Sequence, residues 1–285
     1  MNRAPGRPCT SAGRNSRRRA GALQAVVRAF VLVCSLACCL VAQSQPPAPA
    51  PNPPSSSTNL IEAIPQRVYR LYREARARWQ RETNNAEAAW QFARACFDWA
   101  DFARDKAQLA AIAEEGIVAS RRAIEFSPKS AAAHYYLGLN LGQLAQTKLL
   151  GALKLISEIE TVWLKAVELD PRFDFAGPHR SLAILYRDAP GWSIGNKTKA
   201  RAHARKAVEL FPEYPGNHLV WLESLLTWGE VKTVRQQVPV VEKILNVARE
   251  KFTGDAWARD WQEWERQWRS IRSRAGVSVL EGPIR

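Results

Sequence analysis

Cysteine is missing where it would count. Of five cysteines, Cys9, Cys34, Cys38 and Cys39 fall within the first 39 residues, and only Cys96 lies further on. That distribution excludes a disulfide framework and a thiolate metal site from the body of the chain, so its stability must come from packing. Cys96 stands among Phe92, Phe97 and Trp99 on an expected helix and reads as a small buried hydrophobe rather than a reactive thiol. Histidine is scarce too. None of His134, His179, His203 and His218 stands with a Glu or a second His at metal-ligand spacing, and there is no H-E-x-x-H, G-x-S-x-G or phosphate-cradling glycine run. The sequence therefore predicts a non-enzyme with no catalytic set, no metal and no cofactor.

Long apolar runs are also lacking. The stretch from Ala29 to Ala42 is short for a bilayer span, but behind Arg14, Arg17, Arg18, Arg19 and Arg28 it has the layout of a secretory leader. Small residues at Ala42-Gln43-Ser44 offer a cleavage site, so residues 1–44 read as a leader and the protein as exported to the periplasm. Leu36-Ala37-Cys38-Cys39 resembles a bacterial lipobox, which makes Cys39 a candidate for lipidation and for membrane attachment through the N-terminus; a plain cleaved leader is the alternative. The leader holds seven arginines and no acid, so its removal lowers the net charge from +14 to +7. Export and moderate charge make nucleic acid an improbable partner.

What the chain has is helix signal. Residues 45–57 carry six prolines and read as an extended linker. From about residue 58, Val68, Leu71, Tyr72, Ala75 and Trp79 recur at helical spacing; Thr58 or Asn59 would cap this helix, or Pro65 would delay its start to Ile64. Arg67, Arg70, Arg73, Arg76 and Arg78 form a basic stripe that reads as a solvated face.

One phrase then occurs three times: Ala123-Ile124-Glu125-Phe126-Ser127-Pro128, Ala166-Val167-Glu168-Leu169-Asp170-Pro171 and Ala207-Val208-Glu209-Leu210-Phe211-Pro212. Each copy ends a helix of good formers at a proline. Spacings of 43 and 41 residues signal a stacked repeat array. The tetratricopeptide pattern fits through His134, Leu137, Gly138 and Leu141, then Trp163 and Ala166, and again through His179, Leu182, Ala183 and Tyr186. The expected fold is all-α, a TPR-like α-solenoid coiled as a right-handed superhelix, spanning 58–285. Its repeats fall at about 86–128, 129–171, 172–212 and 213–250, with a cap at 254–275 where Trp257, Trp261, Trp264, Trp268 and Ile271 make one stripe. The opposite side of the cap, with Arg259, Asp260, Glu263 and Arg266, reads as its polar face. The repeats exceed the usual length by a helix-like stretch at 145–154 and a loop at 188–197 that displays Trp192.

Three passages narrow the family: Tyr136-Leu137-Gly138-Leu139-Asn140-Leu141-Gly142-Gln143, Gly177-Pro178-His179-Arg180-Ser181-Leu182, and Ala189-Pro190-Gly191-Trp192 with Ile194-Gly195-Asn196-Lys197. Through them the chain resembles the tetratricopeptide T-component proteins of TRAP transporters, a family of periplasmic lipoproteins. The resemblance implies an α-helical superhelix that binds a protein partner, in that family an extracytoplasmic substrate-binding subunit. On a concave face built from first helices, Tyr135, Leu139, Gln143, Arg180, Arg187, Asn217 and Trp221 are expected to point at the partner, and Trp192 to contact it from its loop. Trp, Leu and Tyr lining would also suit a small apolar ligand carried inside the superhelix.

Overall fold

The computed structural model of the chain describes residues 63–148 and 151–277. Ten α-helices fill them in sequence: α1 (Ile64–Arg81), α2 (Ala86–Ala100), α3 (Lys106–Phe126), α4 (Ala131–Thr147), α5 (Ala152–Leu169), α6 (Phe173–Asp188), α7 (Lys197–Leu210), α8 (Pro215–Thr227), α9 (Val231–Lys251) and α10 (Ala258–Ala275). A 3-10 turn at Asp255–Trp257 precedes the last. No strand occurs among the described residues. Each helix packs on the next, and α2, α4, α6, α8 and α10 also touch in succession. The fold is therefore the expected all-α array of stacked helix pairs. The leader, Cys39, the proline-rich linker and Thr58 and Asn59 lie outside the described residues.

Helix starts follow side-chain caps. Asn85, Asp105, Ser130 and Asn196 each accept a backbone N–H of the first turn, of α2, α3, α4 and α7 in that order. Such caps are worth roughly 1 kcal/mol apiece because they satisfy N–H groups that the helix itself leaves open. Pro65 opens α1, where a missing N–H costs nothing.

The thrice-used phrase produces one geometry three times. Ser127, Asp170 and Phe211 end their helices by donating N–H to the carbonyls of Ala123, Ala166 and Ala207. The recurring Glu is exposed and paired one turn back: Arg122 to Glu125 at 2.7 Å, Lys165 to Glu168 at 2.6 Å, Lys206 to Glu209 at 2.7 Å. These surface pairs contribute little stability, roughly 0.3–0.5 kcal/mol each, but they mark the register of every second helix.

Close approach explains the small residue at the α4–α5 crossing. A Cβ placed on Gly138 would lie 2.2 Å from Trp163 Nε1. Trp163 is fully buried, and its indole N–H donates to Tyr135 O at 3.1 Å. The stretch 145–154 departs from the expected extended helix: α4 stops at Thr147 and Gly151, at φ 83°, sets the chain for α5. A left-handed residue cannot continue a right-handed helix, so the surplus residues become a break.

The apolar interior of the described residues has two large cores beside two small clusters, one around Ala183 and one around Ala123. One core runs from Tyr72 through Phe92, Tyr136, Leu141, Ile159 and Trp163 to Leu182, Leu185 and Tyr186. The other gathers Tyr214, Leu219, Leu222, Leu225, Val241, Leu245, Phe252, Trp264, Trp268 and Ile271 around α8, α9 and α10. Helix α6 is the seam, with Leu182 in the first and Phe175 packed on the second. Cys96 is fully buried in the first core, and burial drives its thiol far above the usual range.

Candidate functional site

Charge gathers on the inner face, where the first helices of separate pairs meet α10. Arg259 of α10 donates to Asp98 of α2 at 2.6 Å and to Asp101, which caps the end of α2. Gln143 of α4 donates to the other oxygen of Asp101 at 3.3 Å. Arg94, one turn before Asp98 and more than half exposed, sits 3.8 Å from it. Asp260, next to Arg259, has no ion-pair partner among the described residues. Burial pushes the carboxyls of Asp101 and Asp260 up to about 6, with Arg259 pulling against it. The cap helix thus turns one charged edge inward, against the expectation that Arg259 and Asp260 face solvent. The reason is geometric: the stripe that buries Trp264 and Trp268 against α8 and α9 leaves Arg259 and Asp260 beside the acids of α2.

A strained turn completes the site. Asp174, Phe175 and Ala176 all adopt left-handed conformations, at φ 50°, 53° and 61°. For residues with a Cβ this costs about 1–2 kcal/mol each. Arg180 offsets part of the cost by donating to Phe175 O, to Asn217 Oδ1 at 3.1 Å and to Asp174 Oδ2 at 3.3 Å, while its guanidinium lies 4.8 Å above the Tyr214 ring. Burial raises the Asp174 carboxyl, and Arg180 lowers it. The turn delivers the Phe175 ring to the second core, stacked 4.6 Å from Tyr214 and at 5.7 Å from both Phe252 and Trp257.

Proline-to-histidine spacing shows why the turn exists. His134 and His218 lie six residues after Pro128 and Pro212, and each Nε2 meets that proline's carbonyl, at 3.1 Å and 2.6 Å. In the third pair the interval from Pro171 to His179 is eight residues. Two residues too many enter before the helix, and the left-handed turn absorbs them. His179 then meets a different partner: its Nδ1 lies 2.8 Å from Nδ1 of His203. Burial, followed by the charge of His203, pushes His179 down to about 4, and burial lowers His203 as well.

The expected contact residues are mostly not available to a partner. Tyr135, Leu139, Gln143 and Asn217 are buried. The Arg187 side chain is only 4 % exposed and grips Asp188 through bonds of 2.6 and 2.8 Å. Arg180 is spent on the strained turn, and Trp221 is half-buried under Arg201. The first helices pack on one another, so the register chosen for the concave face points into their interfaces instead. Of the eight, Trp192 alone is well exposed, at 49 %. Its loop is held by Asn196 N–H to Tyr186 O at 2.9 Å and Gly195 N–H to Pro190 O at 3.2 Å. Behind the strained turn, the rings of Phe175, Tyr214, Phe252, Trp257 and Trp264 stack against each other.

Residues 60–176 match the model of a family described as regulator of microtubule dynamics protein 1-3. The match spans α1 to α5 and reaches the strained turn, less than half of the chain. No curated protein matches the chain.

Proposed function

We propose that the chain is a non-catalytic helical-repeat scaffold that binds a protein partner, with the charged inner face and the Trp192 loop as its contact points. The observation that carries this reading is the cluster of charge that α2, α6 and α10 bring together beside a strained turn. Buried charge and backbone strain both cost stability, and together they concentrate where a protein recognises something. Three carboxylates of the site, Asp98, Asp101 and Asp174, already pair with guanidinium groups, an arrangement suited to reading charge rather than to moving protons. The matched family, too, is described by regulation and not by a reaction.

The secretory leader and the T-component resemblance support an exported protein whose partner is the substrate-binding subunit of a TRAP-type transporter. Photo-crosslinking in the host from benzoylphenylalanine at positions 94 and 192 tests this. A crosslinked extracytoplasmic binding subunit is the expected result. A cytoskeletal protein in its place moves the partner to the kind named by the matched family, and no protein adduct at either position overturns the scaffold reading. If the adduct forms equally at position 94 in wild type and in Trp192→Ala, the loop is outside the interface.

A further inference from the structure

A groove lies at the first end of the array. Helices α1 and α3 both pack on α2 and, joined to it by short connections, run parallel to each other with the groove between them. Its two adjoining parts, about 560 and 360 Å³, share Trp79, Gln80 and Val118 as lining. Its charges balance, with Arg76, Arg121 and Arg122 against Glu114, Glu115 and Glu125. All six are already paired: Arg76 with Glu115 at 3.0 Å, Arg122 with Glu125 at 2.7 Å, Arg121 with Glu158 at 2.9 Å and Glu114 with Lys148 at 3.9 Å. What the groove leaves unmet is apolar. Val118, in the middle of α3, is 57 % exposed, and the Trp79 indole is held in place by stacking on Phe92 at 5.0 Å.

We infer that this groove docks the chain's own residues 46–54, Pro46-Pro47-Ala48-Pro49-Ala50-Pro51-Asn52-Pro53-Pro54, folded back along α1 with proline rings on Trp79 and Val118. Charge, composition and length choose that occupant. A groove whose charges are balanced and paired favours an uncharged ligand, and residues 45–61 hold no charged side chain, whereas residues 1–44 hold seven arginines and 278–285 hold Glu281 and Arg285. Six prolines in nine residues favour the polyproline II form, which aromatic-lined grooves take up at small entropic cost. In that form residues 46–54 span roughly 28 Å at 3.1 Å per residue. The groove follows α3 from Ala111 to Glu125, roughly 21 Å at 1.5 Å per residue. Residues 55–63 reach roughly 30 Å when extended, enough to turn back and bring Pro54 beside Arg76, which stands roughly 20 Å along α1 from Ala63. A segment tethered so closely meets its site at an effective concentration on the order of millimolar, so contacts too weak to hold a free peptide suffice. The inference stands apart from the protein-binding reading above. It makes the linker a strap that keeps the N-terminal side of the chain against the first helix pair.

The test uses the full chain. Benzoylphenylalanine at position 118, irradiated in dilute protein and mapped by mass spectrometry, should give an adduct within residues 45–54 of the same chain, at the mass of a monomer. Combining Pro46→Ser, Pro47→Ser, Pro49→Ser, Pro51→Ser, Pro53→Ser and Pro54→Ser should lower its yield at least about fivefold, because serine supplies neither the ring nor the fixed backbone. These changes touch no helix, so circular dichroism melts should stay as they were. A second measurement leaves Val118 in place: in protein with carbon-13-labelled valine methyls, nuclear Overhauser contacts should join the Val118 methyls to proline ring protons and vanish in the serine variant. Without those contacts in the unsubstituted protein the inference falls, whatever the crosslink shows. It falls equally if the adduct lies on a second chain, lies elsewhere in the same chain, or keeps its yield in the serine variant. Crosslinks at positions 94 and 192 are unaffected by any of these outcomes, so the scaffold reading stands or falls separately.

Discussion

The second and third helix pairs receive similar lengths of chain and spend them differently. The second pair keeps a six-residue step from closing proline to histidine, and places its surplus after Thr147, where α4 ends. The third has an eight-residue step, and takes up its two extra residues through a left-handed turn of three at the inner face. An insertion at the outer end of a pair costs only loop closure, which grows slowly with length. An insertion at the inner start of a helix must be absorbed against neighbouring pairs, and here it creates strain, a captured arginine and an inward Phe175. The regular pair carries the architecture, and the irregular one carries the site.

The comparison breaks most visibly at Gly138. Leucine there would drive a side chain into Trp163, and the regular pair has no slack to receive it. A loss of more than about 3 kcal/mol is expected, read as absence of a cooperative melt under conditions where the wild type is folded. The same change at Ala183, the corresponding position of the third pair, also overpacks a buried crossing, but the site already holds a Cβ and has less to add, so its variant should keep a transition at lower temperature.

Next in size is Arg259→Ala. It leaves Asp98 and Asp101 facing each other without their cation, a cost of about 2 kcal/mol after allowing for their partial exposure. Hydrogen exchange should rise in α10 and at the end of α2 while α4 and α5 stay protected. Uniform exchange across all four would show that α10 is not held from α2.

A pH titration sharpens the contrast further. His179 and His203 share one hydrogen bond through like nitrogens, so only one of the two can carry a proton on that atom. With folded values depressed, the unfolded chain binds more protons below the usual histidine range, and stability falls as pH drops from about 7 to about 5. Asp101 and Asp260 act with the opposite sign, because their raised values mean the folded state takes up protons first, so stability rises as pH falls through about 6. Thermal melts should therefore show His179→Gln losing less on acidification than the wild type, by about 2–4 °C. An unchanged pH dependence would remove the histidine pair from the balance.

The smallest expected effect is Ala176→Gly. Glycine enters the left-handed region without penalty, offsetting the loss of one buried methyl, so denaturant melts should shift by less than about 0.5 kcal/mol. The same truncation at Ala183, in ordinary helix, should cost about 1 kcal/mol or more.

Much of the fold was legible from local signals. Proline stops, caps and apolar periodicity act within a few residues, so the all-α class and the succession of helices follow from the chain read in order. The inner face was not legible in the same way. Choosing Tyr135, Leu139, Gln143 and Asn217 as contacts assumed a cleft wider than first helices packed on each other allow. Arg259 reads as a solvated residue in its own helix, and only the distant acids of α2 give it another role. One signal was present and unused: the change of the proline-to-histidine interval from six to eight marks the third pair as the place where regular stacking must give way.

The bond from Arg259 to Asp98 joins residues 161 apart in sequence. An array in which each pair touches only its neighbours can fray from either end and nucleate anywhere, with a stability that adds up pair by pair. A contact between its first pair and its last helix makes the two ends report on each other. Loosening the cap then weakens α2, and any partner that orders α2 tightens the cap, so the chain should melt as one unit and fold more slowly than its local contacts alone would dictate.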